Sequence, residues 1–281
     1  MLDELAEKCG INEVDYKKAY ESGKKLDADD YLQYKCSIHN SRPGNLPGYD
    51  CPKCMNRGNF MKITECGNEV IAFCDCMKIR EQYAVAKKSG MLGLLTAHTF
   101  ENFKTDNDYQ KGMKDLAQRY VRDAKNEWFV MVGQSGAGKT HICSAVCDAI
   151  IKKGETVKYE LWSSINARMD ALRFSYQESE SFKKSLRNPD IVLYIDDFLK
   201  TDINSETGEF TKPAHKELMN AFDIINSRVI SGAKTIISSE LMIGDIIFLD
   251  SALGGRIWQA SGKYLYQIGR NRDRNYRFSG K

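Results

Sequence analysis

The chain has 281 residues, 42% of them hydrophobic and 28% charged, with a formal net charge of +3. That balance suits one or two globular domains with a core large enough to dispense with disulfides, and it is not basic enough overall to mark a nucleic-acid binder. No apolar run approaches the length of about 20 residues that a bilayer span needs, and the acidic start Met1-Leu2-Asp3-Glu4 lacks an apolar signal segment, so a cytoplasmic protein with no membrane partner is expected.

Residues 1–35 place Leu2, Leu5, Ala6 and Cys9 at helical spacing and read as short helices broken at Gly10 and Gly23. Cys36, Cys51, Cys54, Cys66, Cys74 and Cys76 follow closely. In a reducing compartment such clustering points to metal rather than to disulfides. Cys51-Pro52-Lys53-Cys54 forms one close pair and Cys74-Asp75-Cys76 another, with two short strands, Asn59–Thr64 and Glu69–Phe73, between them. A hairpin that joins the pairs would bring four thiolates into a tetrahedron, and the expected ligands of one structural Zn²⁺ are Cys51, Cys54, Cys74 and Cys76. Cys36, Cys66 and His39 are further potential ligands. An iron–sulfur cluster accepts the same four thiolates, and buried free cysteines are the plainest alternative.

Residues 81–127 read as a linker helix, a loop and the helix Gln110–Asp123. From Trp128 onward, short apolar strands alternate with helices. Trp128–Val132, Thr156–Leu161, Ile191–Ile195, Lys234–Ser238 and Tyr264–Ile268 are the strands. Lys139–Lys153, Ser163–Phe174 and His215–Ile230 are the helices. This alternation predicts an α/β fold, a mainly parallel sheet covered on both faces.

Gly133-Gln134-Ser135-Gly136-Ala137-Gly138-Lys139-Thr140 fits G-x-x-x-x-G-K-[ST] and sits between a strand and a helix, the context the motif requires. Gly136 and Gly138 let successive N–H groups turn toward phosphate oxygens, and the helix adds its positive N-terminal end. Lys139 is placed to reach the β- and γ-phosphates, and Thr140 to ligate Mg²⁺; His141 is counted with the nucleotide-binding residues. Asp196 and Asp197 end the apolar strand Ile191–Ile195, so Asp196 is expected to hold Mg²⁺ and Asp197 to polarise the attacking water. The strand ending in Ser238-Ser239-Glu240 is expected between these two elements, with Ser238 or Ser239 orienting the water and Ser239 taken as the catalytic one. Arg256 is either an arginine finger, stabilising transition-state charge, or a structural arginine. Cys143 and Cys147, four residues apart on the helix after the loop, are expected in the core.

Together, the cysteine module, Thr99-Phe100-Glu101-Asn102-Phe103, the P-loop and Asp196-Asp197-Phe198 resemble the DnaC/DnaI-type helicase loaders, which are AAA+ ATPases. Ile225-Asn226-Ser227-Arg228, Ile236-Ile237-Ser238-Ser239-Glu240, Ala252-Leu253-Gly254-Gly255-Arg256-Ile257 and Asn275-Tyr276-Arg277 resemble the phage- and prophage-type branch of that family. The resemblance implies an AAA+ three-layer sandwich lacking a full C-terminal lid, preceded by a small zinc-binding domain. It implies a helical and zinc-binding helicase-docking domain over residues 1–80, a linker and adenine-flanking segment over 81–110, and the ATPase domain over 111–281. Implied, too, are ATP/ADP, Mg²⁺ and Zn²⁺ as cofactors, a hexameric replicative helicase and single-stranded DNA as partners, and self-association through the ATP site, with Arg256 acting on a neighbouring subunit. Phe100 and Phe103 match the segment that passes the adenine. Many AAA+ proteins have Asn where Glu240 falls; an ionised glutamate cannot donate a hydrogen bond, so Ser239 substitutes or hydrolysis is slow. Two basic stretches interleaved with aromatics suit single-stranded DNA: Trp162, Arg168, Arg173, Phe174 and Tyr176 with Lys183, Lys184 and Arg187, and the tail Arg270, Arg272, Arg274, Tyr276, Arg277 and Phe278. The alternatives are an IstB-type ATPase helper of a DNA transposase, which shares the ATPase core, and a nucleotide-switched binding module with little turnover.

Overall fold

The computed structural model describes residues 28–202 and 209–271. The expected helices before residue 28, Cys9 and the basic tail beyond Asn271 lie outside the described residues. The chain forms two compact units, residues 1–84 and 85–281.

In the first unit, helix α1 (Ala28–Ser41) precedes an antiparallel hairpin of β1 (Asn59–Ile63) and β2 (Glu69–Phe73). Asn40 fastens α1 to β1: its amide donates to the Met61 carbonyl at 3.0 Å and accepts from the Met61 N–H at 3.0 Å. The Arg57 guanidinium donates to the carbonyls of His39, Asn40 and Arg42 at the end of α1. Helix α2 (Cys76–Lys88) starts in this unit and ends in the second.

The second unit continues with α3 (Leu92–Ala97), α4 (Asp108–Asp123), β3 (Phe129–Gly133), α5 (Lys139–Lys152), β4 (Val157–Leu161), α6 (Trp162–Ala171), α7 (Tyr176–Arg187) and β5 (Val192–Asp196). Then come α8 (His215–Ile230), β6 (Thr235–Ser239), α9 (Ile243–Leu249), α10 (Ser251–Ser261) and β7 (Leu265–Ile268). The five strands β3 to β7 form one parallel sheet in the order β4-β5-β6-β3-β7. β3, β5 and β6 are buried along their whole length, as strands covered on both faces must be.

The strands' period of two sorts their side chains into two layers. Val130, Val132, Leu193, Ile195 and Ile237 pack with Trp162, Phe182, Leu186, Ile224, Ile225 and Ile257 from α6, α7, α8 and α10. On the opposite face, Phe129 meets Tyr120 of α4, their ring centroids 5.0 Å apart, and Tyr194 meets Tyr159 of β4, their ring centroids 5.3 Å apart. Cys143 and Cys147 are buried there, as expected. The layers are therefore helix, sheet, helix, with the carboxyl ends of β3, β6 and β5 side by side. In open parallel sheets that edge is where ligands bind.

The basic stretch Lys183, Lys184 and Arg187 lies on α7. The segment is an amphipathic helix that buries Phe182 and Leu186. Lys183 pairs with Glu180 at 3.4 Å, and Arg187 pairs closely with Asp223. Trp162 is buried and donates to the Glu217 carboxylate at 2.5 Å, while Arg168 stacks 4.3 Å from the Phe182 ring centre. Arg173 and Phe174, between α6 and α7, and Tyr176, which opens α7, stay exposed, with Phe174 at 88% and Tyr176 at 81%.

A buried arginine ties this layer to the sheet. Arg228 of α8 donates Nε–H to Thr235 Oγ1 at 2.8 Å. Nη1 donates to the Leu186 and Asn188 carbonyls at 2.8 and 3.0 Å, and Nη2 to the Ile191 and Lys234 carbonyls at 2.9 and 2.6 Å. All five guanidinium N–H groups are thus used. Burial lowers its pKa to about 10, so the cation persists at neutral pH. Arg228→Ala orphans four carbonyls and a hydroxyl and is expected to cost about 3 kcal/mol of unfolding free energy. All three tryptophans, Trp128, Trp162 and Trp258, lie in the second unit, so denaturation followed by tryptophan fluorescence reads this effect directly. A loss below about 1 kcal/mol would contradict the role assigned to Arg228.

Candidate functional site

The P-loop leaves β3 through Gly133, whose φ of +109° favours glycine; a Cβ there would stand 2.1 Å from the Ile268 carbonyl oxygen. Gly136 and Gly138 also have positive φ, +73° and +93°, and Gly138 caps α5. The Gln134 N–H donates to the Ile268 carbonyl at 3.0 Å, which holds the loop's start against β7. Lys139 is buried and donates to the Gly133 and Gln134 carbonyls, both at 2.8 Å. Burial lowers its pKa from 10.5 to about 8, so the ammonium still carries its proton at neutral pH, and the fraction charged falls as pH rises through about 8. Ser135 donates to Glu240 Oε1 at 2.6 Å.

The carboxyl ends of β5 and β6 meet α5 next to this loop. The Thr140 hydroxyl donates to Asp196 Oδ1 at 3.2 Å, and the Ser238 hydroxyl donates to the same oxygen. The Asp197 N–H lies 3.1 Å from it. On the other oxygen, Oδ2, the Tyr159 hydroxyl of β4 donates at 3.3 Å. Burial, then the Asp196 charge, raises the Tyr159 pKa, so the phenol keeps its proton. A buried carboxylate flanked by a threonine hydroxyl at the start of a P-loop helix is the donor pair that holds Mg²⁺ in nucleotide sites of this kind.

Several expected residues stand differently. Ser239 does not face Asp196: it is fully buried, donates to the Phe198 carbonyl at 2.7 Å and accepts from the Leu241 N–H at 3.1 Å. The serine at the carboxylate is Ser238. Asp197 has a left-handed backbone, φ +52°, and its carboxylate pairs with Lys200 at 2.6 Å. His141 turns to the Thr99–Asn102 segment, with Nε2 3.0 Å from the Thr99 carbonyl and 2.9 Å from Asn102 Oδ1. Its ring stacks on His98 at 4.7 Å and meets the edge of Phe103 at 5.0 Å. Burial lowers the pKa of both histidines, so the stacked pair is neutral at physiological pH. Phe103 is buried against the P-loop, its ring 3.0 Å from where a Cβ on Gly138 would stand, whereas Phe100 is half-buried. Arg256 lies on α10, donates to Asn226 Oδ1 at 2.7 Å and to the Ala252 carbonyl at 3.1 Å, and stacks 4.8 Å from the Phe222 ring centre. It borders an open groove of about 530 Å³ with Asn226, Ile230 and Gln259. Arg270, the described member of the basic tail, pairs with Asp245 at 3.3 Å.

In the first unit, Cys51, Cys54, Cys74 and Cys76 are all buried, with their sulfurs within 4.8 Å of one another. Two of the separations are 3.9 Å (Cys51 to Cys74) and 3.5 Å (Cys54 to Cys76). Four sulfurs at a Zn–S length of about 2.3 Å stand about 3.8 Å apart, so this set fits a tetrahedral ion. Met55 and Asn56 adopt positive φ, 47° and 62°, which turns the chain so that the Gly58 N–H donates to Cys54 Sγ at 3.2 Å. Burial pushes the Cys54 thiol up, but the Gly58 N–H and the neighbouring sulfurs outweigh it and bring the pKa down to about 7. Burial raises Cys76 to about 12. Cys66 is exposed, and Cys36 and His39 lie on α1, with His39 Nε2 3.2 Å from Asn59 Oδ1. None of the three joins the group, which is the only metal-capable cluster among the described residues.

A family model described as IstB-like ATP binding protein matches residues 73–257, a span from the second cysteine pair through the P-loop and Asp196 to Arg256. The chain belongs to this IstB-like ATP-binding family. The phage-like element PBSX protein XkdC of Bacillus subtilis (strain 168) is 26% identical over 241 residues, 83% of this chain and 87% of that one. The replicative helicase loader DnaC of Escherichia coli (strain K12) is 28% identical over 109 residues, 38% of this chain and 44% of that one. A crystal structure of the DnaC helicase loader superposes with a TM-score of 0.49 at 19% identity, covering 63% of this chain and 98% of that chain.

In this IstB-like chain the motifs mark the loop and the carboxylate and leave Ser238 and Ser239 as alternatives, whereas Tyr159 and the Ser135–Glu240 bond carry no local signal. Alternation chooses Ser238 between the two. Tyr194, Asp196, Ile236 and Ser238 share the α5 side of the sheet, while Ile195, Ile237 and Ser239 face the other way. No helix among the described residues is long and apolar enough to cross a membrane.

Proposed function

We propose that the chain is an ATP-hydrolysing loader that delivers a hexameric replicative helicase onto single-stranded DNA. The observation that carries the ATP part is the Thr140–Asp196 contact at the mouth of an intact P-loop, in a chain of an ATP-binding family. The helicase part draws support from the partial likeness to E. coli DnaC.

In this reading Lys139 leaves the Gly133 and Gln134 carbonyls for the β- and γ-phosphates, and the P-loop N–H groups take the remaining phosphate oxygens. Thr140 and Asp196 would hold Mg²⁺, which would supply positive charge beside the phosphates. Ser238 and Tyr159 keep Asp196 oriented. Asp197 exchanges Lys200 for the attacking water, and Arg256 completes the site of a neighbouring copy. Phe103, beside Gly138, and Phe100 flank the adenine. Arg173, Phe174 and Tyr176 offer charge and two exposed rings to single-stranded DNA, and the first unit, stapled by Zn²⁺ on its four cysteines, docks the helicase.

Two other readings have an observation in their favour. The family description, which names IstB and ATP binding, favours the IstB-type reading, in which the chain would help a DNA transposase. The Asp197–Lys200 ion pair and the burial of Ser239 favour a nucleotide-switched binder with little turnover. Size-exclusion chromatography of the purified chain with Mg·ATP and the replicative helicase of its own cell separates the first two. Co-elution with the helicase supports the loader; co-elution with a transposase and not the helicase would end that reading. Slow ATP turnover, stimulated by single-stranded DNA and lost in Lys139→Ala, is expected, and undetectable turnover with tight ATP binding would leave the switched binder.

Metal analysis tests the cysteine site. About one zinc per chain is expected, falling below half in the Cys54→Ser, Cys76→Ser double variant. Iron with visible absorbance, or full zinc in that variant, would contradict the assignment.

A further inference from the structure

β6 runs parallel to β3 with Val132 opposite Ser239, which places Glu240 level with Gly133, the first residue of the P-loop. The Glu240 carboxylate uses this position to accept the Ser135 hydroxyl at 2.6 Å. It forms no ion pair among the described residues, and of the charged groups acting on buried Lys139 it pulls most strongly. A negative group therefore already faces the two elements, Ser135 and Lys139, on the phosphate side of the loop.

This arrangement conflicts with a third phosphate in two ways. The Ser135 hydroxyl has one proton, so it serves the Glu240 carboxylate or a phosphate oxygen but not both. Two anions brought close in a partly buried site repel far more than in water. An asparagine in this place would meet neither objection, because its amide donates.

Resting on the reading of this loop as an ATP site, we propose that Glu240 sets the triphosphate-against-diphosphate preference of the site: its carboxylate latches the Ser135 hydroxyl when the γ-phosphate is absent, and the γ-phosphate has to displace it. The Glu240 charge weakens ATP relative to ADP, and the opening of its bond to Ser135 marks the triphosphate-bound state.

Isothermal titration of Mg·ADP and of a Mg-bound non-hydrolysable ATP analogue, on wild type, Glu240→Gln and Ser135→Ala, tests this. Glutamine keeps an acceptor for Ser135 and removes the charge. Glu240→Gln is expected to tighten the triphosphate about tenfold while moving ADP by less than about twofold. Ser135→Ala, which keeps the charge, is expected not to tighten the triphosphate. An unchanged preference in Glu240→Gln, or weaker triphosphate binding with ADP intact, would overturn the latch. Tightening in Ser135→Ala equal to that in Glu240→Gln would overturn the role of the charge. Wild type binding neither nucleotide would instead overturn the ATP-site reading beneath it, so the two failures are distinguishable.

Discussion

The interaction on which the rest of the structure depends is the convergence of Thr140 and Ser238 on one oxygen of Asp196. It joins three segments far apart in the chain: the first turn of α5, the end of β5 and the end of β6. The parallel register makes it possible, because β6 lies between β3 and β5 and all three strands finish at the same edge. A shift of one residue in β6 would turn Ser238 into the apolar layer and present Ser239 instead. The layer of α6, α7, α8 and α10 on one face of the sheet guards against that shift, and Arg228 locks it by binding the carbonyls at the end of α7, at the entry to β5 and at the entry to β6.

Burial turns this arrangement into a site with chemistry. Lys139 and Asp196 are both withdrawn from water, where electrostatic interactions strengthen. Lys139 rests on two carbonyls of its own loop, which hold it in place without neutralising it. In the proposed cycle these contacts and the Ser135–Glu240 bond are given up together when a triphosphate enters. Local rearrangement at the loop, rather than movement of the buried strands, would then report the nucleotide state. The first unit uses a different economy: hairpin and knuckle bury few large side chains, and four clustered sulfurs with Tyr49 and Phe60 form their centre.

Local features were legible in the sequence. The P-loop, the apolar strands and the two cysteine pairs are contiguous patterns whose chemistry follows from neighbours along the chain, and the five strands fall within a residue or two of their expected places. What escaped depends on distant neighbours. Arg228 looks like any lysine or arginine near the end of a helix, because its five acceptors come from residues 186, 188, 191, 234 and 235. In α7, Phe182 and Leu186 are outnumbered by charges, so the segment reads as basic surface, whereas two of its three basic residues, Lys183 and Arg187, find acidic partners on α7 and α8. Between Ser238 and Ser239 the motif gives position but not facing. His141 is adjacent to Thr140 in the chain, yet a helix turns successive side chains apart by about 100°, and its ring reaches Thr99 and Asn102.

The central claim, that Asp196 and Thr140 together form the metal seat of an ATP site, is tested most directly by the Mg²⁺ dependence of ATP affinity in wild type and Asp196→Asn. Mg²⁺ is expected to tighten ATP binding about tenfold or more in wild type, and Asp196→Asn to keep metal-free binding but lose this increment. An undiminished Mg²⁺ increment in Asp196→Asn would contradict it.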